Sequence, residues 1–280
     1  MVKNNLIFLD IDGTLLNSHK TQSVDNEVAK ALKNRISILK RHGYLFGINS
    51  NRAVQDIVPI YKKFGLNGPI VAENGILVYT PKTKKTVYIL NKSELNRIKQ
   101  FNKIMLHKMV CLKLNDIILL NVDTVKELES KQNQHYKNGS ILLLNNKFRK
   151  FTISCHIRKI QNGNLKIDPK ISRSIFTHLK NDTSDGDFSI NLSPFHNLLV
   201  YSNKTSKRRA NLYLKTTFFK KYAFYAIGDE IGDYNMVKGI GKFMTINNAK
   251  NLVKLNAYRK SKYSYARGVL DLLNNMDIVV

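Results

Sequence analysis

Apolar and polar positions follow two rhythms along this chain of 280 residues, and their alternation predicts its elements. Leu6-Ile-Phe-Leu9 is a short continuous apolar run with strand character, and it ends abruptly in Asp10-Ile-Asp12-Gly13. After Ser23 and Asp25, residues Val28, Leu32, Ile36 and Leu39 repeat at helical spacing until Gly43 stops the helix. Tyr44–Ile48 reads as a second strand that ends in Asn49-Ser50-Asn51-Arg52 and leads into a helix from Ala53 to Phe64. A third strand, Ile70–Ala72, precedes Glu73-Asn74-Gly75, where Asn-Gly is a strong turn signal. Ile76–Tyr79 and Val87–Leu90 predict paired strands across a turn rich in lysine.

From Lys92 the alternation of single strands and helices loosens. A helix over Ser93–Lys108, a strand over Ile117–Val122, a helix over Thr124–Tyr136 and strands within Phe148–Ile157 and Phe188–Leu192 predict an α+β module, with a loop over Asn181–Gly186. Phe151, Ile153, Cys155 and Ile157 alternate toward one buried face, which leaves Ser154 and His156 on the other. The strand–helix alternation resumes with a strand over Leu198–Tyr201, a helix from Ser206 to Leu214 and a strand over Tyr222–Ile227 that runs into Gly228-Asp229. The prediction is an α/β core with a parallel sheet in two parts, 1–90 and 198–280, interrupted by a module over 91–197.

Composition changes this picture little, charge more. With 43% apolar and 24% charged residues the chain reads as a globular protein, and no run approaches a membrane span, so a cytoplasmic protein with no membrane partner is expected. Cys111 and Cys155 lie far apart without metal-like spacing and are expected to stay reduced. A net charge of +26, from 46 Lys and Arg against 20 Asp and Glu, should attract polyanions non-specifically. The lysines are dispersed among asparagines, so no specific nucleic-acid partner is expected.

The candidate chemistry sits at strand ends. Asp10 and Asp12 at the carboxyl edge of a buried strand repel each other, which implies a hard cation such as Mg²⁺. Ser50, between a strand and a helix, is placed either to hold a phosphate oxygen with nearby backbone N–H groups or to cap the helix. Lys207 in a first helical turn opposes the helix dipole by ~0.3–1 kcal/mol, a deficit that a bound phosphate would reverse. Asp229 and Asp233 lie four residues apart after a strand, one helical turn from each other.

Taken together, Asp10-Ile-Asp-Gly-Thr-Leu15, Ser50-Asn-Arg52, Ser206-Lys207 and Gly228-Asp-Glu-Ile-Gly-Asp233 resemble, in order, the four motifs of the haloacid dehalogenase superfamily, class IIB. Gly68-Pro-Ile-Val-Ala-Glu-Asn-Gly75 is similar to a phrase in class IIB members that act on sugar phosphates and in archaeal phosphoglycolate phosphatases. The resemblance implies a Rossmann-like core and an inserted cap that selects the substrate. It implies a phosphatase acting on a small phosphorylated metabolite, a sugar phosphate first among them, with phosphoglycolate or a phosphomannomutase-like transfer as alternatives. A polyanion-binding protein on the same scaffold is a third reading. By resemblance Asp10 is the nucleophile, Asp12 the acid and base, and Ser50 and Lys207 hold phosphate oxygens, with Lys204 and Arg208 as alternates for Lys207. Mg²⁺ would be held by Asp10, the Asp12 backbone carbonyl and Asp229, with Asp233 orienting the site. Asn51, Arg52, Arg149 and His156 are the candidate substrate contacts. Gly232 stands where class IIB chains carry asparagine.

Overall fold

The computed structural model describes residues 4–17, 24–112, 116–123, 136–181, 186–193 and 196–276. These fall into two compact units, Met1–Ile89 with Thr205–Val280, and Leu90–Lys204.

The first unit is built on an eight-stranded sheet. Its strands are β1 (Asn5–Leu9), β2 (Tyr44–Asn49), β3 (Ile70–Ala72), β4 (Leu77–Thr80), β5 (Lys85–Tyr88), β12 (Ala223–Gly228), β13 (Gly241–Thr245) and β14 (Arg259–Lys260). In space the order is β14-β13-β12-β1-β2-β3-β4-β5, parallel from β14 to β3 and antiparallel beyond. β1 is central, and every one of its residues is buried, which is why its sequence from Leu6 to Leu9 is an unbroken apolar run. Its register sets Leu9 beside Ile227 on one side and Ile48 on the other, so the chain leaves β1, β2 and β12 at one common edge.

Helix α1 (Asn26–Arg41) begins at Asp25, whose carboxylate accepts from the N–H groups of Glu27 and Val28. It buries Ala29, Leu32, Ile36 and Leu39, and each of the larger three contributes about 1.5–3 kcal/mol. Ala29 faces inward where the spacing predicted Val28, which is half-buried. Helix α2 (Val54–Phe64) ends at left-handed Gly65. Leu6 and Phe8 of β1 turn to the opposite face and pack with Ala210, Leu214, Met236 and Phe243.

In the second unit the sheet order is β10-β11-β8-β7-β6, with β9 on β8: β6 (Ile117–Val122), β7 (Ile141–Asn146), β8 (Ile153–Gln161), β9 (Asn164–Lys166), β10 (Phe188–Leu192) and β11 (Asn197–Ser202). Helices α3 (Lys92–Val110) and α4 (Pro169–Lys180) supply Met105, Met109, Ile175 and Leu179 to a cluster with Ile153, Cys155 and Ile157, the face expected to be buried.

The structure departs from the sequence reading in several places. The strand over Leu198–Tyr201 does not return to the first unit; as part of β11 it pairs with β10 and β8, so the second unit runs to Lys204 and not to 197. A half-alternating strand carries the same local signal whichever sheet it joins. β8 starts at Ile153 and not near Phe148, because Asn146 Oδ1 accepts from the Phe148 N–H and turns the chain first. β7 and α4, which begins behind the Asp168 cap with Pro169 at its first position, were not anticipated. The expected helix over Thr124–Tyr136 and most of the loop over Asn181–Gly186 lie outside the described residues. No helix among the described residues is long and apolar enough to cross a membrane.

Candidate active site

The edge shared by β1, β2 and β12 gathers a group of charged residues. Asp10 follows β1 and is buried, its N–H donating to Ile227 O at 3.0 Å. Asp229 follows β12. Gly13, at φ +87°, passes so close to it that a Cβ there would stand 2.3 Å from Asp229 Oδ2, so glycine after the two acids is a steric requirement. Thr14 Oγ1 donates to Asp229 Oδ1 at 2.7 Å, and Asn248 Nδ2 holds the Gly13 carbonyl at 2.7 Å.

Asp233 lies in the short helix α6 (Ile231–Asn235) and orders the turn before it. Its Oδ2 accepts from the N–H groups of Asp229 and Glu230 at 3.1 and 3.0 Å. Its Oδ1 accepts from Lys207 Nζ at 2.8 Å, and the same ammonium donates to Asp10 Oδ1 at 2.6 Å. Lys207 is the first residue of α5 (Lys207–Thr217), started by Ser206, whose hydroxyl accepts from the Arg209 N–H. In β2, Asn49 ties this first turn down, donating to Lys207 O at 3.0 Å and to Asn211 Oδ1 at 2.9 Å. The alternates are engaged elsewhere: Lys204 pairs with Glu94 in the second unit, and Arg208 Nε donates to Lys238 O.

Crowding shifts the titrations. Burial, then the Asp233 charge, raises the Asp10 carboxyl well above its ordinary range against the pull of Lys207. Asp229 is pushed up to about 7 by burial, with Asp233 adding and the Thr14 hydrogen bond opposing. Burial works against the charge on Lys207, yet Asp10 and Asp233 outweigh it and hold the ammonium up.

Asp12 points elsewhere. Arg52, expected to meet substrate, clamps it: Nε donates to Oδ2 at 2.8 Å and Nη2 to Oδ1 at 2.6 Å. Burial disfavours the guanidinium charge, and Asp12 more than offsets it. Ser50 is buried, and its hydroxyl accepts from the Arg52 N–H at 3.3 Å. The helix cap itself falls on Ala53, so Ser50 is not spent on capping α2. Asn51 is exposed. The Asn-Gly turn has a second purpose: Glu73, Asn74 and Gly75 all take positive φ, and a Cβ on Gly75 would stand 2.1 Å from Ser206 O. The turn therefore abuts the entry to α5.

Arg149 and His156 belong to the second unit. Arg149 Nη1 donates to Thr152 Oγ1 at 3.0 Å. His156 lies on β8 beside Asn197, and Arg158, which the sequence reading passed over, approaches its Nδ1 with Nη2 at 3.4 Å. Arginine has no acceptor, so His156 Nδ1 accepts and Nε2 carries the proton. Thr14, Asn49, Asn211 and Asn248 were likewise missed, since each acquires its role from a partner distant in sequence.

Asp10, Asp229 and Asp233 each offer a carboxylate oxygen within 4.8 Å of one another. Three carboxylates beside the one ammonium of Lys207 leave an all-oxygen, net-negative donor set that fits a hard divalent cation. The Asp12 side chain stands outside this trio, so only its backbone carbonyl is open to such a role.

A profile of haloacid dehalogenase-like hydrolases matches residues 7–273. The chain is 22% identical to phosphatase YwpJ of Bacillus subtilis over 97% of its own length and 99% of that protein. It is 34% identical to a phosphoglycolate phosphatase of Sulfolobus acidocaldarius over 82 residues, 29% of this chain and about a third (34%) of that protein. The crystal structure of a haloacid dehalogenase-like hydrolase from Bacteroides thetaiotaomicron superposes with a TM-score of 0.65 at 19% identity, covering 97% of this chain and 99% of that one.

Proposed function

The chain belongs to the haloacid dehalogenase-like hydrolase family, and from that premise we propose that it is a Mg²⁺-dependent phosphatase of the cytoplasm, acting on a small phosphorylated metabolite, a sugar phosphate first among them. The observation that carries this reading is the position of Asp10: buried at a strand end, touching Lys207 and within reach of Asp229 and Asp233.

Asp10 attacks phosphorus, and the bond to the leaving oxygen breaks as Asp12 hands that oxygen a proton. Asp12 then takes a proton from water, which displaces Asp10 and frees inorganic phosphate. Lys207 and the Ser50 hydroxyl neutralise the equatorial oxygens, and Asp233 keeps Lys207 and the Asp229 turn in place. Mg²⁺ at Asp10, Asp229 and the Asp12 carbonyl would supply the positive charge that lets a carboxylate approach a phosphate. Arg52 acts on Asp12 in this reading, while Asn51, Arg149 and His156 remain the candidate substrate contacts. The second unit is the proposed cap, supported by its insertion between the two halves of the first.

The partial match to a phosphoglycolate phosphatase favours phosphoglycolate as the rival substrate. A panel of phosphate esters with and without Mg²⁺ tests the proposal: inorganic phosphate should be released from p-nitrophenyl phosphate without any sugar bisphosphate. Strict dependence on a bisphosphate, with phosphate moved to a second sugar position, would establish a phosphomutase instead.

A further inference from the structure

The first unit carries a second feature, at the other edge of its sheet. Gly241 pairs with Phe224 and Thr245 with Gly228, so the start of β13 lies at the edge opposite the carboxylates. There a cleft of about 340 Å³ opens between Tyr234, Phe243 and Tyr258, with Lys238 and Lys242 on its rim. The Lys242 ammonium stands 4.1 Å from the centre of the Tyr258 ring, and Lys238 lies 5.9 Å from that of Tyr234. Beside the cleft, helix α7 (Asn251–Leu255) is too short to hide more than one side: Val253 is buried, while Leu252 and Leu255 point outward.

Leu255 at 77%, Leu252 at 64% and Tyr258 at 57% are the most exposed large apolar side chains among the described residues, and all fall within seven positions. Single exposed leucines are ordinary on a protein surface, but a group of them is not. From Tyr234 to Leu270 the chain has eight Lys and Arg and no Asp or Glu. Stretches without acid occur elsewhere, as over 130–167 with its eight Lys and Arg, but in this one the most exposed apolar side chains of the described residues project between the cations.

We propose that this face docks on an anionic phospholipid surface, with Leu252, Leu255 and Tyr258 entering the interface and Lys238 and Lys242 meeting headgroup phosphates at the cleft. Apolar tips ringed by cations are the pattern of interfacial binding, which needs no spanning helix. A nucleic acid would draw on the cations and leave the leucines without a role. A second copy would bring like charge against like. Docked by this edge, the protein keeps its carboxylates at the opposite one.

The chain has no tryptophan, so Leu255→Trp places a unique reporter at the contact. With vesicles of phosphatidylcholine containing about one third phosphatidylglycerol its emission should shift to the blue, and the protein should sediment with them about tenfold more tightly than with phosphatidylcholine alone. Leu252→Ser with Leu255→Ser should weaken this binding about fivefold or more, leaving thermal melting and p-nitrophenyl phosphate hydrolysis unchanged. Lys238→Gln with Lys242→Gln should weaken it too, whereas Lys62→Gln with Lys63→Gln, the same charge removed from exposed sites on α2, should not. The proposal is overturned by an absent blue shift, by serine variants that bind like the parent, or by equal effects of the two lysine pairs. A blue shift that follows protein concentration without vesicles would overturn it in favour of self-association.

Discussion

Arg52 holds Asp12 by both carboxylate oxygens, at 2.8 and 2.6 Å, a fork that fixes the acid in position and in plane. Arg52→Lys keeps the charge but not the fork, so turnover should fall about 10- to 100-fold with KM nearly unchanged. Steady-state kinetics on a phosphate ester decides the matter. A raised KM at normal kcat would instead return Arg52 to the role of substrate contact.

Asp10→Asn should abolish turnover, because the isosteric amide cannot attack phosphorus. Asp10 is disfavoured as an anion by burial and by Asp233, so its neutralisation should leave unfolding free energy within about 1 kcal/mol of the parent. Activity above a few per cent of the parent, measured by phosphate release, would remove Asp10 from the nucleophile's role.

Lys207 is the common partner of Asp10 and Asp233, and Lys207→Gln leaves both carboxylates buried without it. Breaking such a cluster from one side costs about 3–5 kcal/mol, measurable by denaturant unfolding. Added Mg²⁺ should recover part of the loss, since it binds the folded state and meets the same charge. A melting point indifferent to both changes would contradict the geometry.

Burial first, and then Arg158 and Arg149, push His156 from its ordinary 6.5 down to about 3. Between those values the unfolded chain binds a proton that the folded chain refuses, so stability is lost as pH falls through this window and the effect is absent above it. His156→Gln should therefore lose less stability than the parent between about pH 7 and pH 4. Equal losses in denaturant titrations at both pH values would mean that His156 titrates normally.

Gly75→Ala puts a Cβ against Ser206 O at φ +84°. The expected cost is about 1–3 kcal/mol of stability, accompanied by a fall in kcat as the start of α5 shifts with Lys207. An alanine variant equal to the parent in both would show that the turn has room to move.

Much of this protein could be read from sequence because the signals are local. An apolar run ending in two acids and glycine identifies the end of β1, and Asp229 with Asp233 identifies the turn after β12, without knowledge of any other segment. Periodicity likewise located α1, and the strand ends before them located α2 and α5. What the tertiary structure decided is which groups meet. Whether Lys204, Lys207 or Arg208 supplies the cation depends on which one faces Asp10, 197 positions away for Lys207. Arg52 was equally well placed, by sequence, to face substrate or Asp12. Asn49 and Asn211 have no local pattern at all, since a buried amide is marked only by the partner that satisfies it. β11 went to the wrong unit for the same reason: a strand's own residues encode its pleat and its buried face, while the choice of neighbours belongs to the whole sheet.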